Sequence, residues 1–323
     1  MHPASQPAAT YFCSMKKTKI LVSGAAGNSG ALIVRNLAER QIPVRALVRD
    51  RAKASFLADL PGVELHEVDM LEKDSLGPAL DGVERALLIS SANDRMVETQ
   101  CTFIDACKQA GVPHVIKFSG EESQQGYDPQ RFRFTREHEQ IEDYLEASGL
   151  QWTHLRPSQF MQAYLREGPS IAKTGELRLP LKNIQMSPVD LRDVAKIAST
   201  LLVQGGHYHE SLRITGPEAL SMADIANILS TIAGKPVRYI PVSWTERKAM
   251  LSPSGLPSFF MDALADQAAE RVRNPQAIVD TTVHKLFGET PTTFLQFAKD
   301  NAAVFNPAPS PKQPSPTARP SSP

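Results

Sequence analysis

Three glycines spaced Gly24-x-x-Gly27-x-x-Gly30 lie within "VSGAAGNSG" (Val22–Gly30), close to the start of the chain. They follow a short β-rich run, "KILVSG", and open a helical run, "NSGALIVRNLAERQ", in which Leu32, Ile33, Leu37 and Ala38 share one stripe. A strand that turns at once into a helix needs a residue without Cβ at the bend. A helix that packs tightly against the strand it leaves needs another. The third glycine lets backbone N–H groups approach a pyrophosphate, at a helix N-terminus whose dipole favours the negative charge. A glycine triplet alone is weak evidence, because tight strand-to-helix turns need glycine in any case. Here a first strand precedes it, a first helix follows, and a second strand, "PVRALVR", comes next, which is the setting of a dinucleotide cradle. The expected cradle is Gly24, Ala25, Ala26, Gly27, Asn28, Ser29 and Gly30.

The alternation continues. "AKASFLADL" reads as a helix, "VELHEVD" as a strand, "EKDSLGPAL" as a helix, "RALLISS" as a strand, residues 94–111 as a long helix, and "PHVIKFSG" as a strand. This order predicts an α/β fold, a doubly wound parallel sheet with helices on both faces, whose strands are apolar throughout rather than alternating. After residue 150 the pattern loosens into the strand "WTHLRP", several helices, and the strands "SLRITG" and "VRYIPV". The division expected is a nucleotide-binding domain over 16–157, with later strands returning to its sheet, and a smaller α/β substrate lobe over 158–305. Residues 1–15 read as an extension or alternative start before Met15, and the Pro/Ser-rich residues 306–323 as a disordered tail.

Open α/β sheets bind ligands at the carboxyl ends of their strands. At the end of the second strand an NAD-preferring site carries an acidic residue for the ribose 2′-hydroxyl. Arg49 stands there with Lys53 a helical turn on, a pair suited to a 2′-phosphate, and the expected cofactor is therefore NADP(H). Asp50 is the competing reading, and a solvated helix start the plain one. Asp69 and Met70 end the third strand, on the adenine side. Ser90 and Ser91 end the fourth, near the nicotinamide-side ribose.

Charge narrows the partners. Lys and Arg total 35 and so do Asp and Glu, which leaves no net field to draw nucleic acid or a membrane surface. No apolar run approaches the ~20 residues of a membrane-spanning helix. Residues 1–15 lack the basic and apolar regions of a secretion signal. Cys13, Cys101 and Cys107 form no CxxC, which fits a reducing cytoplasm, and no metal site is expected. The expected partner is a small apolar substrate, for a monomer or homodimer.

"GAAGNSG", "ALVRD", "VDM", "EDYLEASGLQWTHLRPSQFM", "SPVDLRDVAKIA" and "LRITGPEALSMADIANILS" occur in order. Together they resemble NmrA-like proteins, an atypical branch of the short-chain dehydrogenase/reductase superfamily, over roughly residues 17–300. That family holds NADPH-dependent quinone reductases, triphenylmethane reductases, natural-product reductases and non-catalytic redox sensors. The resemblance implies a Rossmann domain with a small C-terminal substrate lobe. Ordinary members of the superfamily use a Tyr-xxx-Lys pair on the helix after the fifth strand. Matching "HEQIEDYL" places His138 at the Lys position and Phe134 at the Tyr position. Phenylalanine donates no proton, so an alcohol/ketone dehydrogenase mechanism is not expected. His138 is the candidate for ribose contact and, if protonated, for proton supply, with a plain helix-surface histidine as the alternative. Tyr127 or Tyr164 would be the acid from outside that helix.

The resemblance also lays "LRPSQFM" along the nicotinamide, with Pro157 and Phe160 beside it and Gln159, Met161 and Tyr164 toward the substrate. In the second lobe Trp244, Met250, Phe259, Phe260 and Met261 suit a bulky flat substrate or a simple core. Phe259 is the substrate candidate retained. Arg192 and Asp193 read as an ion pair or cap, and Ser221 with Asp224 as close to a capping box. Two functions stay open. One is an NADPH-dependent reductase of a conjugated, mostly apolar acceptor (quinone, enone, iminium or dye), working without the dyad. The other is a non-catalytic NADP(H) sensor acting through a partner protein.

Overall fold

A computed structural model describes residues 19–121 and 126–307. The extension expected at 1–15 lies outside them. So does the tail expected at 306–323, apart from Asn306 and Pro307.

The chain alternates strand and helix: β1 (Ile20–Val22), α1 (Asn28–Glu39), β2 (Val44–Val48), α2 (Ser55–Ala58), β3 (Val63–Glu67), α3 (Lys73–Leu80), β4 (Arg85–Leu88), α4 (Met96–Ala110), β5 (His114–Phe118), α5 (Arg133–Ala147) and β6 (Gln151–Pro157). There follow a 3-10 segment (Met161–Glu167), α6 (Gly168–Thr174), β7 (Glu176–Leu179), β8 (Gln185–Met186), α7 (Leu191–Gln204), β9 (Glu210–Ile214), β10 (Leu220–Ser221), α8 (Met222–Ala233) and β11 (Arg238–Pro241). The last elements are α9 (Trp244–Leu251), α10 (Ser258–Arg273), α11 (Thr282–Leu286), α12 (Phe294–Asp300) and α13 (Ala302–Phe305). The helix expected over "AKASFLADL" forms only at Ser55–Ala58, and Pro61 bars its extension.

The main sheet runs β3-β2-β1-β4-β5-β6-β9, with every neighbouring pair parallel. Its order reverses between β1 and β4, and this switch point opens a crevice at the strands' carboxyl ends. Successive residues of a strand face opposite sides. Thus Ile20 and Val22 join one core with Ile33, Leu37, Val194 and Leu201, from α1 and α7. Leu21, between them, joins the opposite core with Leu76, Phe103, Ile104 and Ile141, from α3, α4 and α5. A third core, around Tyr164, Ile225, Leu229, Phe294 and Phe297, belongs to the second lobe. That lobe carries a parallel ribbon, β7 with β11, and an antiparallel one, β8 with β10.

Two caps in this lobe are reciprocal. Ser221 bonds the Asp224 N–H while Asp224 returns to the Ser221 N–H, and Ser243 does the same with Glu246. Arg192 and Asp193 do not pair with each other. Arg192 binds Asp190, the cap of α7, at 2.6 Å and Asp300 at 2.8 Å. Asp193 faces the other way and accepts from the Thr292 N–H (2.7 Å) and hydroxyl (2.9 Å). Adjacent helical residues point about 100° apart, so neighbours in sequence reach different partners.

The glycines divide their work. Gly24 has φ +58°, where an L side chain is strained, and a Cβ on it would stand 2.9 Å from the Ile89 carbonyl oxygen. A Cβ on Gly30 would stand 2.3 Å from the Gly24 oxygen and 2.8 Å from Ala25 Cα, both backbone atoms that cannot swing aside. Gly30→Ala is therefore expected to cost about 1–3 kcal/mol, as overpacking does. Denaturant unfolding measures it, and an unchanged midpoint would contradict the close packing of α1 on its own loop.

Candidate active site

A cleft of about 1000 Å³ opens above the switch point. It lies at the upper end of the range for small-molecule sites. Its floor is the carboxyl ends of three strands: Ile89 and Ser90 after β4, Phe118 to Gly120 from the last residue of β5, and Pro157 to Phe160 from the last residue of β6. Gly27, Asn28 and Ser29 form one wall. Phe134 and His138 from α5, with Trp244, Leu251, Phe260 and Leu264 from α9 and α10, form the others.

The glycine loop reaches this cleft by a tight path. Ser23 is fully buried, accepts the Ile89 N–H at 2.8 Å, and has the Ile89 and Leu87 carbonyls at 2.8 and 3.1 Å for its own proton. It ties the end of β1 to the end of β4. The Ala25 N–H reaches the Leu47 carbonyl on β2 at 3.1 Å. Gly27 then stands at the N-cap of α1 with no side-chain cap and no acidic residue in the first turn. The N–H groups of Asn28, Ser29 and Gly30 have no backbone acceptor among the described residues. A Cβ on Gly27 would meet only the Gly24 oxygen, at 3.2 Å, so the space beyond it is the open cleft. Unsatisfied donors, a positive helix end and clear space fit a dinucleotide's pyrophosphate.

The expected residues separate into three groups. Ala26, Gly27, Asn28, Ser29, Ser90, His138, Pro157, Gln159, Phe160 and Tyr164 all line the cleft. Gly24, Ala25 and Gly30 support the loop from beneath. Arg49 sits exposed at the end of β2 and donates to the Ser91 hydroxyl at 3.4 Å, which brings the second and fourth strand ends together. Lys53 is 84% exposed and pairs with Asp50 at 3.2 Å. Asp69 is exposed and caps its own turn through the Leu71 N–H at 3.0 Å, while Met70 is buried in the core beneath α3 and α4.

Four expected roles meet a different geometry. Met161 turns into the second lobe's core, because its N–H is held by the Val189 carbonyl at 2.8 Å. Tyr164 presents its ring to the cleft, but its hydroxyl points at the Met222 sulfur, 3.9 Å away, and burial pushes its pKa up, which does not suit an acid. Tyr127 is buried against Phe132 and lines a smaller neighbouring pocket with Glu121, Ser158 and Arg271. Phe259 lies under the Arg133 guanidinium, 5.9 Å from it, and meets the edge of Phe260. Phe260 rather than Phe259 forms the cleft wall, with its ring centroid 6.3 Å from that of Phe134.

Beneath His138 lies a group that sequence reasoning passed over. Lys117, on β5, has no exposed surface at all. Its ammonium stands 2.9 Å from His138 Nδ1 and 3.0 Å from Ser119 Oγ. Ser119 donates to Glu142, whose carboxylate also accepts from Arg156 Nε at 3.2 Å and Nη2 at 2.5 Å. Burial, with the Arg156 charge adding to it, pulls Lys117 down to about 7 against the attraction of Glu142. Burial opposes the charge on Glu142 too, but Arg156 and Lys117 hold its carboxyl below the usual range. His138 is held neutral, well below its ordinary pKa, by burial and by the Lys117 and Arg156 charges. Protonated His138 is thus not the resting proton source. The missed signal was a lysine inside "HVIKF", a strand buried on both faces. A second buried ion pair, Arg247 on Glu167 at 3.0 and 2.5 Å, ties α9 to the 3-10 segment at the cleft wall.

The profile of the NmrA-like family matches residues 16–293. An NAD(P)H azoreductase of Xenophilus azovorans is 35% identical over 289 residues, spanning 90% of this chain and all of that protein. The NADPH-dependent quinone oxidoreductase QOR2 of Escherichia coli, solved with NADPH, superposes with a TM-score of 0.78 at 27% identity, covering 87% of this chain and 99% of that one. The Citrobacter triphenylmethane reductase, solved with NADP(H), also gives 0.78, at 25% identity over 88% of this chain and 99% of its own.

Gly27→Val should lower NADPH affinity at least about tenfold, or ~1.4 kcal/mol. It should unfold nearer to the unaltered protein than Gly30→Ala does. Titration of cofactor fluorescence is the measurement. Undiminished affinity would make the loop a structural turn only.

Proposed function

The chain belongs to the NmrA-like family, and on that premise we propose that its cleft reduces a conjugated, mostly apolar acceptor such as a quinone, enone, iminium or cationic dye, without a Tyr-xxx-Lys dyad. It is an NAD(P)H-dependent oxidoreductase that takes NADP(H) as cofactor. Among the described residues no helix is long and apolar enough to cross a membrane. NADPH, when bound, supplies a hydride; the chain's residues bind it, hold the acceptor and manage a proton.

The observation that carries this reading is the aromatic wall of the cleft. Phe134 and Phe260 face one another there, beside Trp244 and Leu264. A flat conjugated ring gains apolar burial and offset stacking on such a wall. In this reading Ala26 to Ser29 offer backbone N–H groups to the pyrophosphate, and Arg49 with Lys53 takes the 2′-phosphate. Ser90 and His138 meet the nicotinamide-side ribose, and Pro157 and Phe160 flank the nicotinamide. Gln159 is the polar contact for the acceptor. A quinone delocalises the charge that hydride brings, and a cationic dye is neutralised by it, so neither needs a strong acid at the moment of transfer. An aliphatic ketone becomes an alkoxide, which Phe134 cannot protonate.

Two outcomes follow. NADPH should bind more tightly than NADH, and Arg49→Asp should erode that preference by about 1.5–3 kcal/mol, the worth of a charge-assisted hydrogen bond. Equal dissociation constants in the unaltered protein would remove Arg49 from this role. Steady NADPH oxidation should occur with activated quinones and be slower by orders of magnitude with a simple aliphatic ketone. Phe134→Tyr should raise quinone turnover little. Robust turnover of the aliphatic ketone would overturn the dyad-free mechanism.

A further inference from the structure

Lys117 is an expensive residue to place where it stands. The rest of β5 is a buried, mostly apolar strand, and the ammonium has no carboxylate within ion-pair distance among the described residues. Its nearest partners are the hydroxyl of Ser119 and Nδ1 of His138, a residue on the cleft wall. A methionine of similar length would fill the same space without the cost of a buried charge.

We propose that Lys117 is a positioning residue for the reductase, fixing His138 with its proton on Nε2 and replacing that proton after the acceptor has been reduced. The inference rests on the reading of the cleft as a reductase site. An ammonium only donates, so Nδ1 of His138 must accept, and the single proton of the neutral ring is then on Nε2. With Nδ1 turned inward to Lys117, the Nε2 edge is the one left for the cleft.

The proton balance closes. A neutral acceptor, a quinone or an enone, that has taken a hydride, two electrons and one hydrogen nucleus, is an anion, whereas an iminium or cationic dye becomes neutral and needs no proton. The anion takes the Nε2 proton of His138, one N–H bond breaking as the new bond to hydrogen forms. Nδ1 takes a proton from the Lys117 ammonium. Both side chains end neutral. Water in the open cleft then gives one proton to Nε2, and the Nδ1 proton returns to Lys117. The net input is one hydride and one solvent proton. The groups facing Lys117 set how readily it gives. Cys101 comes from α4, His138 and Glu142 from α5, Arg156 and His154 from β6, and Ser119 from just beyond β5. Burial outweighs Glu142 and brings the ammonium to about 7, so release at neutral pH is close to thermoneutral.

The test begins with the full-length, cofactor-free protein labelled with 15N-histidine, with His138→Ala used to assign the signal. The ring of His138 should stay neutral with its proton on Nε2, and its Nδ1 resonance should shift with an inflection near pH 7 as Lys117 titrates. Lys117→Met should abolish that inflection. With NADPH and an enone whose reduced product is a strong base, kcat should fall above pH 7 in the unaltered enzyme. In Lys117→Met it should drop about 10- to 100-fold at pH 6.5 and lose that limb, with the NADPH Kd changed less than about twofold. Lys117→Arg should keep the tautomer but not restore kcat, because a guanidinium does not release its proton. Unaltered protein with neither the inflection nor the falling limb overturns the proposal. So does Lys117→Met with unaltered kcat, or with NADPH affinity and kcat lost in equal measure, which would mark a structural lysine. If the variants do not fold, the two readouts on the unaltered protein decide alone. A protein that oxidises no NADPH with any activated quinone defeats the reductase reading instead, and the resonance of His138 still reports whether Lys117 controls it.

Discussion

The site depends on how closely the backbone of the β1–α1 loop approaches itself and the end of β4. Gly24 lies against Ile89, Gly30 against Gly24, and Ser23 bonds across both strands. Because the two glycines approach backbone atoms, they leave no room for a larger residue, and the buried Ser23 hydroxyl ties the loop to the end of β4. The consequence is at Gly27, where the chain emerges with open space before it and unpaired N–H groups beside it. A looser loop would let α1 slide and bury those donors. The parallel sheet supplies the rest, since every strand end that meets the cleft points the same way.

The second lobe completes the cleft with apolar surface and one buried ion pair. Arg247 and Glu167 are both largely withdrawn from water, and such a pair adds little net stability compared with an apolar replacement. What it does is fix the position of α9 relative to the 3-10 segment. Trp244 and Leu251, at the two ends of that helix, thereby keep their places on the wall.

Local patterns made much of this legible. The glycine spacing located the switch point, the apolar runs marked the parallel strands, and Ser221 with Asp224 announced a helix start. The resemblance pointed to Phe134 and His138, and both line the cleft. What stayed hidden was set by contacts between distant elements. Lys117 looked like one charge in a strand. Its meaning needs α5 laid across β5, so that residue 138 meets residue 117. Met161 and Tyr164 are three residues apart and were expected to share a face. The segment holding them is a 3-10 turn, in which residues three apart align, and both pack into the second lobe's core; Tyr164 alone also borders the cleft. Asp193 illustrates the same limit, since its partner Thr292 arrives about a hundred residues later, and Arg192 divides itself between its neighbour Asp190 and the distant Asp300.

The central claim is that this cleft carries out hydride transfer rather than only sensing the cofactor. The most direct measurement is reduction of an enone with NADPH deuterated at C4 on one face or the other. The account predicts that deuterium reaches the product carbon from one of the two labelled cofactors only, because a rigid loop and a single cleft wall present one face of the nicotinamide. Tight NADPH binding with no deuterium in the product from enones or dyes, and no NADPH oxidation by quinones, would contradict it and leave a binding protein in place of a reductase.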